Sequence, residues 1–308
     1  MRWHTRRIAS FVIVHGGWGG GWEWRAVAQA LREHGDEVWT PTLTGMGERS
    51  HLGGPKIGVE THVTDVVAVL EQEDLGQVVL CGHSYGGIPV TGAADRQPER
   101  VRLLVYIDAL VHSDGESAFD LVPATFAEVA RTSAAARGDG WRVPIPAELL
   151  PPTGWVPEEV RERYLARLGG QPLATFADPV NLTGAVERLP RAFVRCTADD
   201  LAASSAGDPI APMAARAQRE GWLYRELMAP HDPQLTDPIG TASILHELGA
   251  GSEASASASQ RSRTRSGRTV GCAQRSGMSP ECVCEIFLHD GDVAGLAEQR
   301  NSGRVDLC

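Results

Sequence analysis

The chain has 308 residues, 42% of them hydrophobic, enough for one large domain with a sizeable core, or for a domain and a tail. Its formal net charge of −10 argues against a nucleic-acid or anionic-membrane partner for the main body. No apolar run approaches the roughly 20 residues needed to span a bilayer. The basic start Met1–Arg7 is followed only by the short apolar stretch Ile8–Val14, which ends in His15-Gly16-Gly17 and not in a small-residue cleavage site. The expectation is a cytoplasmic protein without a signal peptide.

In chain order, short apolar runs alternate with helical spacing. Phe11–Val14 reads as a first strand, Trp24–Glu33 as a helix, and Glu37–Thr40 as a second strand before a loop rich in Pro, Thr and Gly. Thr61–Glu71 carries Val63, Val66, Val67 and Leu70 on one helical face. Val78–Cys81 is the third strand, Val101–Ile107 the fourth, Ala192–Cys196 the fifth and Leu223–Leu227 the sixth, and Ile239–Leu248 closes the domain as a helix. Strands alternating with helices predict an α/β fold around a mainly parallel six-stranded sheet covered by helices on both faces.

Two segments break this rhythm. Residues 111–189 are loop-rich and Pro-rich, with short helical pieces such as Glu158–Leu168. An insertion there projects over the carboxyl ends of the strands and predicts a cap over a substrate pocket. Residues 251–308 are Ala/Ser repeats followed by Arg, Ser and Gly, a low-complexity composition that predicts a disordered tail after a domain spanning 1–250. Cys81 and Cys196 lie in strand-like runs and read as buried free thiols. The other four cysteines, Cys272, Cys282, Cys284 and Cys308, are in the tail, where their spacing with His289 fits no zinc pattern, so no metal is expected.

The most informative motif is Gly82-His83-Ser84-Tyr85-Gly86, a G-x-S-x-G pattern between the third strand and a helix start at Ile88. A serine in so sharp a turn leaves no room for Cβ atoms two residues before or after it. The turn would lift the Ser84 hydroxyl off the sheet edge and set the Tyr85 N–H at a helix N-terminus, where an oxyanion can be stabilised. A serine nucleophile needs a histidine base. His231, in Ala229-Pro230-His231-Asp232-Pro233 after the last strand, falls at the same edge. His83 adjoins the serine, but the turn points their side chains apart. His62 and His112, with the remaining histidines, read as surface or helix residues. His15-Gly16-Gly17-Trp18 after the first strand offers a second oxyanion donor, the Gly17 amide.

Together, Val14–Trp24, the turn at Ser84 and Pro230-His231-Asp232 resemble the α/β-hydrolase superfamily, within it the branch of plant methylesterases and hydroxynitrile lyases, and closer still its bacterial esterase-like members. The resemblance covers about residues 8–249. It implies an α/β-hydrolase fold with a helical cap and a Ser-His-Asp mechanism without cofactor, and it supports the Gly17 and Tyr85 assignment. The acid stays open among three aspartates. The plant branch places it after the fifth strand, where Asp200 and Asp208 stand. Bacterial members carry an Asp at the end of the fourth strand, here Asp108, which closes a very apolar run and so needs a partner. Asp108 is placed first, Asp208 second and Asp200 third.

The expectation is a serine hydrolase of a small apolar or aromatic ester, with Trp18, Tyr85, Trp141 and Trp155 as pocket walls. A small-molecule receptor on the same fold is the alternative. A hydroxynitrile lyase is disfavoured, because Gly16 and Asp232 stand where the resemblance would require threonine and lysine. Dehalogenase chemistry would require an aspartate nucleophile in place of Ser84.

Overall fold

Short strands buried along nearly their whole length form the centre of the architecture. The computed structural model describes residues 8–198 and 208–265. In chain order these form β1 (Ser10–Val14), α1 (Arg25–Glu33), β2 (Glu37–Trp39), α2 (Val59–Gln72), β3 (Val78–His83), α3 (Gly87–Arg96) and β4 (Val101–Ile107). The intervening segment holds α4 (Ala124–Arg137), β5 (Arg142–Val143), α5 (Glu158–Leu165), β6 (Gln171–Pro172) and α6 (Ala174–Ala177). The chain returns with β7 (Arg191–Cys196), α7 (Ala211–Arg219), β8 (Leu223–Leu227), α8 (Pro233–Thr236) and α9 (Pro238–Arg265). The strands, their helices and the cap belong to a compact unit ending at Ser259; the described residues of the second unit, 260–265, are helical.

Six strands pair in the order β2-β1-β3-β4-β7-β8, every neighbouring pair parallel. Successive side chains of a strand point to opposite faces. Thus Phe11 and Ile13 pack with Val27 and Leu31 of α1 and Leu245 and Leu248 of α9, whereas Val12 and Val14 pack with residues of α2, α3 and α7 on the other face. Sheet growth reverses between β1 and β3, and the crevice at such a switch point opens at the carboxyl ends of the strands. α9 continues past Leu248, where its apolar spacing ends, to Arg265. The expectation for the rest of the tail falls outside the described residues, and so do Asp200, His4 and His289.

The turn after β3 is sterically tight. Ser84 has φ 52°, a left-handed value unusual for a residue with a side chain. A Cβ added at Gly82 would lie 2.5 Å from the Gly86 carbonyl oxygen, and one at Gly86 would lie 2.6 Å from the carbonyl oxygens of both Val14 and His15. The motif's two glycines therefore let β3, its turn and the end of β1 touch through backbone alone.

Residues 111–189 fold back over the carboxyl edge as a cap, with β5 and β6 paired antiparallel. The Trp18 indole N–H donates to the Val143 carbonyl at 3.0 Å, and Gly169 N–H donates to the Trp18 carbonyl at 2.9 Å. The Tyr164 hydroxyl of α5 donates to a Glu23 carboxyl oxygen, and the Gln234 amide donates to the Tyr164 oxygen at 3.2 Å. Burial pushes the Glu23 carboxyl up to about 8; the Asp232 charge adds to this, while the hydrogen bonds from Tyr164 and Gly20 oppose it.

Gly86→Ala should destabilise the protein by roughly 1–3 kcal/mol or more, since the new methyl meets two fixed carbonyls; denaturant unfolding measures it. Glu23 generates a pH dependence of definite sign. With its folded pKa above the unfolded one, the native state binds the extra proton, so stability falls as pH rises from about 4.5 to about 8. Glu23→Gln, which keeps an acceptor for Tyr164, should flatten that fall in unfolding free energies measured across this window.

Candidate active site

Four loops meet at the carboxyl edge, one each from β1, β3, β4 and β8. Ser84 opens a single 3₁₀ turn, Ser84–Gly86, that leads into α3. The first N–H groups of such a turn have no acceptor within it, and that of Tyr85 is among them. His231 Nε2 lies 2.9 Å from Ser84 Oγ, and its Nδ1 lies 2.7 Å from Asp108 Oδ2. A carboxylate can only accept, so Nδ1 carries the proton and Nε2 is left with the lone pair that faces the serine hydroxyl.

Asp108 is 1% exposed and, like Ser84, has a left-handed backbone, at φ 42°. Burial opposes its charge. The hydrogen bond and charge of His231, the Arg195 guanidinium and the Cys196 N–H outweigh burial and hold its pKa below the ordinary carboxylate value. Of the other aspartates weighed from sequence, Asp208 does not touch the imidazole in this arrangement. One of its oxygens meets Arg195 and the other accepts the Ile210 and Ala211 N–H groups at 2.9 and 3.2 Å. Strand register explains why Asp108 meets Arg195: Ile107 pairs with Val194, and the Asp108 N–H donates to the Val194 carbonyl at 2.7 Å.

Three buried histidines support this edge. The Leu43 N–H donates to His15 Nε2 at 3.1 Å, so Nδ1 bears the proton and donates to the Gly16 carbonyl at 2.8 Å. In a planar trans peptide the Gly17 N–H then points away from His15. Nε2 of His62 donates to the Thr44 carbonyl, and its Nδ1 accepts from the Tyr85 hydroxyl, both at 2.8 Å. His83 donates from Nε2 to the His231 carbonyl at 2.7 Å. Desolvation by burial lowers His15 and His62 to about 4 and His83 to about 3, so all three are neutral near pH 7. His62 and His112 are buried, at 0% and 2% exposure. Nothing in their local composition set them apart from surface histidines, though His62 shares a helical face with Val63 and Val66.

A cavity of about 340 Å³ opens beside Ser84 and His231, bordered also by Gly17 and Tyr85. Its walls are largely apolar, with Leu110, Phe126, Ile145, Leu149, Phe176 and Ile210. Trp18 lines it, edge-on to Phe126 and 5.5 Å from the Phe176 ring. Trp141 and Trp155, expected as walls, do not line it. Trp141 packs over Gly53 with the Arg142 guanidinium 4.8 Å from its ring, and Trp155 is 43% exposed. Glu23, Tyr164 and Asp232 form a polar corner of the cavity that the sequence reading missed. A glutamate among tryptophans in Trp22-Glu23-Trp24 was its only available signal. Among the described residues, no group of three or more His, Cys, Asp or Glu side chains could hold a metal ion, and no helix is long and apolar enough to cross a membrane.

Residues 11–244 match the alpha/beta hydrolase family. A carbendazim-hydrolysing esterase from Nocardioides is 43% identical over 185 residues, which cover 58% of this chain and 75% of that protein. Among solved structures, an extracellular α/β-hydrolase from a Paenibacillus species superposes with a TM-score of 0.66 at 20% identity, covering 78% of this chain and 98% of that one. A methylesterase from Arabidopsis does so with a TM-score of 0.60 at 20% identity, over 78% and 98% of the two chains. At that identity the two structures establish the shared fold. With the family match spanning most of the sheet and its cap, the chain belongs to the α/β-hydrolase family and is an esterase-like hydrolase.

Proposed function

We propose that the protein is a serine carboxylesterase for small, apolar or aromatic esters. The observation that carries this reading is the in-line contact of Ser84, His231 and Asp108 through two different ring nitrogens, at 2.9 and 2.7 Å. Ser84 Oγ attacks the ester carbonyl while His231 Nε2 takes its proton. The negative oxygen of the tetrahedral intermediate is held by the Gly17 and Tyr85 N–H groups, each such donor contributing about 2.7–4 kcal/mol to the transition state. The imidazolium, stabilised by Asp108, then protonates the departing alcohol. Water enters, gives a proton to His231 and attacks the acyl-enzyme, and collapse of the second intermediate returns the proton to Ser84 and releases the acid.

The cavity supports the substrate class. At about 340 Å³ it lies at the small end of ligand sites, and its apolar walls favour an uncharged acyl or alcohol group. The relative named as an esterase supports an ester as the scissile group.

Hydrolysis of para-nitrophenyl butyrate is the test. Ser84→Ala should lower kcat by at least ~10³-fold with an unchanged melt, because it removes one hydroxyl and no packing. Saturable binding by the wild type without turnover would point to a receptor instead. Asp108→Asn should lower kcat by ~10⁴-fold, the loss expected when the imidazole is left in the wrong tautomer. A loss of only a few-fold would remove Asp108 from the role of acid.

A further inference from the structure

Asp108 gives its two oxygens to different partners. Oδ2 faces His231, while Oδ1 accepts from Arg195 at 2.7 Å and from the Cys196 N–H at 3.1 Å. Arg195 turns its other terminal nitrogen to Asp208, which is itself anchored by the N–H groups that open α7. Asp208, Arg195, Asp108 and His231 thus stand in a row whose charges alternate whenever His231 is protonated. The side chains are poorly solvated, at 1% exposure for Asp108, 13% for Asp208 and 18% for Arg195. Water and salt therefore screen the row far less than a surface pair.

Ester hydrolysis by serine, histidine and aspartate requires no arginine behind the acid, yet a cation there has consequences. It pins one carboxylate oxygen, so that the other keeps a fixed direction toward Nδ1. It also offsets part of the negative charge by which Asp108 would hold a proton on the imidazole, and Asp208 offsets part of that cation in turn.

We propose that Arg195, backed by Asp208, is a positioning residue that orients Asp108 and sets how firmly the Asp108–His231 pair retains a proton, keeping His231 available as a base. This rests on the assignment of Ser84, His231 and Asp108 above. Among the described residues, the other titratable groups around the pair are His83, bonded to the His231 carbonyl and neutral, the cavity's Glu23, Tyr164 and Asp232, and on β8 Tyr224 and Glu226, the latter in register with Arg195. All of them stay in place in the variants below, so differences between variants report the row.

The experiment is an NMR titration of the imidazole resonances of the full chain, with His231 assigned by its loss in His231→Gln. Arg195→Gln should raise the His231 midpoint by on the order of one pH unit, because two anions then face it without the cation. Asp208→Asn should lower the midpoint, because the cation is then less neutralised. Arg195→Lys restores the charge and should return the midpoint toward wild type. The acid limb of kcat/KM for para-nitrophenyl butyrate should move in the same directions. Shifts of one sign in both neutralising variants, or midpoints within about 0.3 pH unit of wild type, would overturn the proposal and leave Arg195 as a structural clamp. Should Arg195→Gln lose its cooperative melt, an unmoved midpoint in Asp208→Asn overturns it equally. Opposite shifts in a protein without ester turnover would uphold the electrostatic row and refute the esterase reading, so the two failures are separable.

Discussion

The backbone of Ser84 is held at φ 52° between two glycines whose missing Cβ atoms let β3, its turn and the end of β1 meet at backbone contact. That conformation costs free energy, on the order of 1–3 kcal/mol for a residue with a side chain, and persists only because surrounding contacts determine it. In return the hydroxyl is lifted clear of the sheet edge toward His231, while the following N–H groups open the helix that α3 continues. Trp18 and Asp108 are also left-handed, at φ 62° and 42°. Three strained residues therefore sit where the loops of β1, β3 and β4 converge, and the stiff parallel sheet beneath them is what keeps the strain in place.

Electrostatics at this edge follows from how little water reaches it. Three buried histidines are neutral and act as hydrogen-bond hardware, fixing the Gly16 carbonyl, the Tyr85 hydroxyl and the His231 carbonyl. Asp108 keeps its charge despite burial because three donors converge on it. The polar corner of Glu23, Tyr164 and Asp232 ties cap to core and leaves the remaining wall apolar. Fastening of the cap and polarity of the cavity are therefore set by the same few side chains.

Much of this was legible in the sequence because it depends on local pattern. All six expected strands formed within two residues of their expected limits; the four central ones, largely buried, carry a nearly unbroken apolar signature, whereas the edge strands β2 and β8 are partly exposed. The elbow at Ser84 and the loop carrying His231 follow strands directly, so their placement at one edge came with the topology. What required the third dimension was contact between distant segments. Asp108 and Arg195 meet only through the β4–β7 register, and Arg195 announced itself merely as a charge inside the apolar run Ala192–Cys196. Trp141 and Trp155 were visible as large apolar residues, but the path of a long insertion decides which of them reach the cavity. The hold of His83 on the His231 backbone likewise joins segments far apart in the chain.

The claim on which the functional reading stands is that Ser84 is activated by its surroundings as a nucleophile. Treatment of the folded protein with a fluorophosphonate probe, followed by peptide mapping, tests it most directly. A single adduct on Ser84 is expected, one that fails to form once the protein is denatured, because the unfolded serine lacks the imidazole. An unlabelled folded protein, or an adduct on another residue, would contradict it.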